Sequence, residues 1–165
     1  MFEKLLAAVI VIGSLLAVPV YTRAAESHDP SRGIVLSPDL LNLLVEEMRA
    51  IAAGVQGVAL SLAYGDWKSI EETAEKIQAS YIMEQKLTAS QARELQQALP
   101  GHFKQLDAEF HSRAGRLGAA AAAHDPELVA FHYSRLMESC AVCHAAYAGK
   151  RFPGFSTHVQ QGHHH

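Results

Sequence analysis

The stretch DPELVAFHYSRLMESCAVCHAAYAG, residues 125–149, predicts an amphipathic helix that carries both cysteines of the chain. Asp125 suits the N-cap, Pro126 the first helical position, and Gly149 the carboxyl-terminal end. One stripe of this helix, at helical spacing, contains Val129, His132, Leu136, Cys140, Cys143 and Tyr147. We therefore expect that face to lie against the rest of a helical domain.

Three further segments repeat apolar residues with the period of a helix, and no segment alternates like a strand. The first is predicted over residues 37–65. Asp66 can cap the second, and Thr88 with Gln91 has the spacing of a capping box at the start of the third. The Pro-Gly pair at 100–101 must bend or break that third helix.

These segments predict an all-α fold, an antiparallel four-helix bundle over residues 37–155, with Ser37 capping its first helix. Gly54 and Gly57 lie inside that helix, where each costs up to ~1 kcal/mol relative to alanine. The cost indicates close approach of another helix or of a flat ligand, or else it is simply tolerated. Bundles of this kind hold cofactors between their helices.

The amino terminus, residues 1–24, has the order of a secretory signal peptide. A short start with Lys4 precedes an apolar run over residues 5–20, and a Thr-x-Ala pattern suits cleavage after Ala24. The alternative is a retained membrane anchor, but the run is shorter than the ~20 residues that span a bilayer. We expect a periplasmic protein with no stable membrane association after cleavage.

The two ends of the exported chain are predicted to lie outside the bundle. Residues 25–36 are expected to form a loose amino-terminal arm, and residues 156–165 a disordered tail. The terminal histidine run is most simply the remnant of a purification tag, with a surface metal site as the alternative.

Charge gives little reason to expect nucleic-acid binding. Removing Glu3, Lys4 and Arg23 with the signal peptide leaves 12 basic and 16 acidic residues, a net charge of −4. A mildly acidic domain has no electrostatic basis for binding nucleic acid or an anionic membrane surface.

The motif Cys-Ala-Val-Cys-His, residues 140–144, is typical of covalent haem attachment. Two thiols add across the two vinyl groups of the haem, and the adjacent imidazole binds the iron. On a helix, Cys140, Cys143 and His144 project from one face. We therefore expect one covalent haem c, with thioether links at both cysteines and His144 as an iron ligand.

Two other uses of the cysteines are weaker hypotheses. A redox dithiol needs a preceding strand and a place at the start of a helix, where the dipole lowers the thiol pKa. A zinc site needs further ligands at suitable spacing, and the chain has no second cysteine pair. An exported dithiol protein without haem is thus the least favoured interpretation.

An exported four-helix bundle with Cys-x-x-Cys-His, followed by Tyr147 three residues beyond the histidine, resembles the class II cytochromes c, which are cytochrome c′ and its low-spin relatives. The resemblance covers residues 36–150 and is strongest over 110–147; the sequence LAYGDW, residues 62–67, also looks like the family's first turn. It implies a haem inside the bundle, bound by the last helix through a proximal His144 and facing the first helix.

The sequence departs from the family pattern at several positions. Ala141 and Ala148 stand where members often carry a basic residue, and Leu44 stands where the first helix often carries an arginine. The haem propionate partners are therefore open. Phe152 and Phe155 lie in a segment beyond the family's usual end. They are expected to pack over the haem edge or against the bundle end.

The sixth position of the iron decides function in the family that this chain resembles. A small apolar residue on the first helix leaves the iron open to nitric oxide or carbon monoxide, whereas a methionine ligates it and gives a low-spin electron carrier. Met48 is predicted on the buried stripe and is the candidate distal ligand. The alignment also allows Arg49 at this place, and the alternative role for Met48 is core packing. Otherwise an apolar pocket is expected, lined by Leu44, Ala52 and Val55.

The first functional hypothesis is a periplasmic monohaem cytochrome that transfers electrons between redox partner proteins, with His144 and Met48 on the iron. The alternative is a five-coordinate protein that binds nitric oxide or carbon monoxide. Neither is an enzyme, since no acid–base pair or nucleophile stands out. The resemblance also allows a homodimer through the first two helices.

The other histidines of the domain are not expected to bind iron. His102 sits at the predicted helix break, and His111 and His124 are expected at exposed or rim positions. His132 lies on the stripe of the last helix and is expected to be a packing residue. A bis-histidine iron is a minor alternative.

Overall fold

The computed structural model describes residues 33–155, except for the side chains of Glu84 and Gln85. The predicted signal peptide, most of the predicted arm and the predicted tail lie outside these residues. The described part is helical and contains no strand. Its elements, in chain order, are α1 (Pro38–Tyr64), α2 (Trp67–Gln78), α3 (Met83–Lys86), α4 (Ala89–Ala98), α5 (Gly101–Ala122), α6 (Pro126–Tyr147) and a 3-10 turn (Pro153–Phe155).

The bundle consists of α1, α2, α5 and α6, as the sequence predicts. α2 packs against α5 and α5 against α6, while α1 closes the bundle against α2 and α6. The core is aliphatic, and its fully buried side chains include Ile70, Ile77, Leu117, Val129 and Leu136. Within residues 33–155, no helix combines the length and apolar character needed to cross a bilayer.

The predicted helix caps are confirmed at three starts and one end. Asp66 accepts a hydrogen bond from the Ser69 amide at 3.2 Å, and Asp125 accepts one from the Leu128 amide at 2.9 Å. Thr88 forms the predicted capping box. At the end of α1, the C-cap Gly65 has φ +67°, a left-handed conformation that glycine adopts without steric cost.

Ser37 is the exception among the caps. It occupies the N-cap position of α1 but makes no side-chain capping bond. Its hydroxyl and its amide instead donate to the two carboxylate oxygens of Glu94, at 2.9 and 2.6 Å. The prediction of a local cap is wrong because a partner on α4 binds this hydroxyl. Ser37 thus joins the start of α1 to α4.

The third predicted helix is two helices. Pro100 is the N-cap of α5, so α4 ends before it and α5 begins at Gly101. Proline lacks an amide hydrogen and its ring clashes with the preceding turn, which explains the break. Met83 lies on the single-turn helix α3, which is separate from α2 because the chain turns at Ser80 with φ +59°.

Gly54 and Gly57 have different environments on α1. A Cβ on Gly54 would lie 2.5 Å from the Tyr81 hydroxyl and 3.0 Å from Cγ2 of Thr73 on α2. A Cβ on Gly57 would meet no atom within 4 Å. The close approach of the Tyr81 and Thr73 side chains thus explains why position 54 holds a glycine, whereas the structure gives no reason for a glycine at position 57.

Candidate haem-binding site

The last two turns of α6 hold the three residues of the predicted haem motif. Cys140, Cys143 and His144 are each half-buried, and their spacing directs them to one side of the helix. The Cys140 thiol lies 3.6 Å from the Leu136 carbonyl, within the reach of a weak hydrogen bond. Both cysteines are free, so they do not form a disulfide.

The environment of the two thiols differs from that of a reactive dithiol. Burial raises the pKa of Cys143 to about 11, and the nearby Asp107 carboxylate adds to the effect. Burial also raises the pKa of Cys140. Redox and nucleophilic cysteines need a lowered pKa, because the thiolate is the reactive form. The surroundings of these cysteines therefore keep them as neutral thiols and do not favour the dithiol interpretation.

Two aromatic rings of the segment that follows α6 contact His144. The Phe152 ring stacks on the imidazole with a centroid distance of 4.7 Å and an angle of 21° between planes, and Phe155 lies at 6.3 Å and 57°. Burial lowers the pKa of His144, which favours the neutral imidazole that binds metals. The sequence singled out both phenylalanines as packing groups, and the structure shows their direct contact with the predicted ligand.

Tyr147 anchors the carboxyl-terminal end of α6. Its side chain is buried, and its ring meets Phe103 edge-on at a centroid distance of 5.1 Å. Its hydroxyl lies 3.1 Å from Nδ1 of His102. Both partners come from the first turn of α5, so they fix the turn of α6 that carries His144. Sequence analysis placed His102 at a helix break and did not find this contact.

The structure places Met48 differently from the sequence prediction. Met48 is 40% exposed, whereas the neighbouring Glu47 is 3% exposed and occupies the buried stripe of α1. The predicted burial of Met48 is therefore wrong. The physical reason is that Glu47 accepts hydrogen bonds from the Ser80 hydroxyl and from the amides of Tyr81, Ile82 and Met83, which orients α1.

Met48 nonetheless lies on a defined side of α1, here called the α1 flank and made of Leu44, Met48, Ala52 and Val55. Successive residues of a helix are rotated by about 100°, so the α1 flank lies on the other side of the core stripe from Gly54, which faces α2. Since α1 packs against α2 and α6, we infer from this rotation that the α1 flank is the side toward α6. The role of Met48 as an iron ligand stays a prediction.

His111 is not the exposed or rim residue that the sequence predicts. It is half-buried, and its Nδ1 lies 2.7 Å from the Ile77 carbonyl of α2. Its Nε2 lies 3.6 Å from the Asp107 carboxylate. The carboxylate raises the pKa of His111, and the Ile77 carbonyl acts in the same direction. His111 thus links α5 to α2, and His124 is exposed as expected.

Comparison with known proteins gives one match. The model of the Cytochrome C′ family matches residues 39–148, which extend from the start of α1 to the end of α6. This chain belongs to the cytochrome c′ family. It is accordingly a c-type cytochrome, and its family implies a covalently bound c-type haem. Neither the curated proteins nor the solved structures gave a match.

The residues of this cytochrome fit such a haem. Thioether formation consumes thiols, and Cys140 and Cys143 are unpaired thiols. Iron ligation needs a neutral imidazole, and burial favours that form of His144. Phe152 covers a face of the imidazole ring, whereas the ring nitrogens bind metals at the edge, in the ring plane. The stack is therefore compatible with ligation.

Proposed function

We propose that this cytochrome is a periplasmic electron carrier whose single haem iron is bound by His144 and Met48. The observation that carries the proposal is the position of Met48. It is the only methionine, cysteine or histidine of α1, and the rotation of about 100° per residue puts the α1 flank that holds it toward α6. A thioether is a soft ligand that favours ferrous iron and so raises the reduction potential.

In this proposal the haem and the residues around it have different roles. The haem, when bound, supplies the one-electron redox chemistry. Cys140 and Cys143 tether it to α6, and His144 holds the iron as a neutral ligand. Leu44, Ala52 and Val55 place alkyl groups beside Met48 on the α1 flank. The α1 flank supplies no acid or base, so we assign no enzymatic activity, and we propose other redox proteins as partners.

A second function follows from the alkyl side chains beside Met48. Leu44, Ala52 and Val55 on the α1 flank carry only alkyl groups, and none of them can bind iron. Without ligation by Met48 the sixth position would be open, and the alkyl groups of the α1 flank would line a pocket for a small apolar gas. In this case the protein binds nitric oxide or carbon monoxide at a five-coordinate iron.

Absorption spectra of the purified ferric and ferrous protein distinguish the two functions. For the electron carrier we expect sharp α and β bands in the ferrous form, no fast change with carbon monoxide, and a near-infrared methionine-to-iron band in the ferric form. Met48→Ala should abolish that band. Met137→Ala is the matched control, because Met137 is similarly exposed at 42% but lies on the same helix as His144.

The opposite result would identify the gas-binding protein. A high-spin ferrous spectrum that changes at once with carbon monoxide, and that Met48→Ala leaves unaltered, excludes Met48 as a ligand. Haem staining after denaturing electrophoresis tests the covalent link itself. Loss of the stain in Cys140→Ser together with Cys143→Ser is expected, and an unstained wild-type chain would refute the haem assignment.

A further inference from the structure

The chain beyond α6 folds back over the last turn of that helix. The amides of Arg151 and Phe152 both donate to the Ala148 carbonyl at 2.9 Å, and the Phe155 amide donates to the Phe152 carbonyl at 3.1 Å. These hydrogen bonds turn the backbone tightly, and the 3-10 turn Pro153–Phe155 continues it. The segment after α6, up to Phe155, is therefore fixed relative to the helix end that carries the haem motif.

This turn presents two rings to the predicted iron ligand. We name Phe152 and Phe155 the aromatic bracket. Phe152 lies nearly parallel to the His144 imidazole, at 21° and 4.7 Å, whereas Phe155 is inclined to it at 57° and 6.3 Å. The two bracket rings meet each other at 77° and 6.4 Å. Phe152 therefore covers a face of the imidazole, and Phe155 contacts it from a second direction.

A histidine bound to iron through one nitrogen keeps a rotation about the iron–nitrogen bond, unless its surroundings prevent it. A stacked ring opposes that rotation, because turning the imidazole out of parallel loses the contact or forces a clash. Groups outside the ligand set commonly orient metal-bound histidines, usually through a hydrogen bond. Here the contacting group is an aromatic face.

We propose that Phe152 is a positioning residue that sets the plane of the His144 imidazole relative to the haem. The inference rests on the proposed haem ligation by His144, but it does not depend on Met48. The family match ends at residue 148, so the bracket lies in a segment that the family model does not cover. The aromatic bracket thus belongs to a segment outside the family model, and it would act on the orientation of the His144 imidazole.

The plane of an axial imidazole has a direct spectroscopic signature. In low-spin ferric haem, that plane governs how unpaired spin spreads over the porphyrin, and the spread separates the proton resonances of the haem methyl groups. Proton NMR of the ferric holoprotein therefore reports the imidazole plane. Cyanide added to every sample keeps the sixth ligand the same, so the result is independent of Met48.

Three variants of the holoprotein make the test specific. Phe152→Leu keeps apolar volume but removes the flat ring, and Phe152→Tyr keeps the ring. Phe131→Leu is the matched control, since Phe131 also lies beside a histidine on α6 but contacts His132 edge-on, at 68°. We expect the methyl pattern to change in Phe152→Leu, and to stay close to wild type in Phe152→Tyr and Phe131→Leu.

Each possible outcome bears on the proposal. A wild-type methyl pattern in Phe152→Leu, with His144 resonances still shifted by the iron, overturns the positioning role and leaves the haem assignment intact. An equal change in Phe131→Leu also overturns it, because the effect would not be specific to the stack. Absence of covalent haem, or of iron-shifted His144 resonances in wild type, refutes both this inference and the proposed function. Circular dichroism checks that each variant keeps its helices.

Discussion

Glu47 offers the sharpest test of how α1 is oriented. Its carboxylate accepts hydrogen bonds from the Ser80 hydroxyl at 3.0 Å and from the amides of Tyr81, Ile82 and Met83 at 2.9, 2.6 and 3.2 Å. The left-handed φ of +59° at Ser80 turns these successive amides toward one point. Replacing Glu47 by alanine removes the acceptor for the whole turn between α2 and α3.

The size of the effect follows from these contacts. A hydrogen bond to a charged group contributes about 1.5–3 kcal/mol, and a buried donor left without an acceptor costs about 1–3 kcal/mol. The contributions are not additive, and water can reach the half-buried Tyr81 and Ile82 once the side chain is gone. We therefore expect Glu47→Ala to lower the free energy of unfolding by about 3–4 kcal/mol, a large share of the stability of a typical domain.

Urea unfolding followed by circular dichroism measures this loss, with equal haem content in all samples. Glu46→Ala is the matched control, because Glu46 is the exposed neighbour on the same helix and should change the free energy by less than about 0.5 kcal/mol. Glu47→Gln keeps the side-chain volume but directs an amide group at backbone donors, and it should be intermediate. If Glu47→Ala and Glu46→Ala unfold at the same urea concentration, the carboxylate does not hold the turn.

Two further predictions concern stability. Gly57→Ala should stabilise the protein by up to ~1 kcal/mol through helix propensity, whereas Gly54→Ala should destabilise it by about 1–2 kcal/mol because its Cβ meets Tyr81; equal urea midpoints for the two variants would contradict the close packing. The pKa of His111 is raised above its usual value, so its contribution is complete below about pH 6.5 and disappears as the pH rises through the raised pKa. The stability difference between wild type and His111→Gln should therefore shrink with rising pH, and a difference that grows would refute the contact with Asp107.

Local chemistry is what the sequence predicts well here. The caps at Asp66, Thr88 and Asp125 depend on residues at most three positions away, so they can be read without knowing the fold. The break before Gly101 depends only on Pro100. The haem motif is local in the same way, because the spacing of its cysteines and histidine on a helix fixes their common face.

Predictions fail where the partner is distant along the chain. Ser37 was expected to cap α1, but Glu94 binds its hydroxyl across 57 residues. His111 was expected at an exposed or rim position, but the Ile77 carbonyl of another helix accepts its hydrogen bond. No pattern near Ser37 or His111 contains these partners, so periodicity alone cannot find them.

By itself, the sequence determined the all-α class, the helices of the bundle with most of their ends, and the residues that fit a c-type haem, because each depends on spacing within a few turns. The tertiary structure decided which side of α1 is buried, since the distant turn at Ser80 binds Glu47 and so leaves Met48 on the α1 flank. It also decided that the segment after α6 folds back and stacks Phe152 on His144. Both outcomes are contacts between segments that only the folded chain brings together.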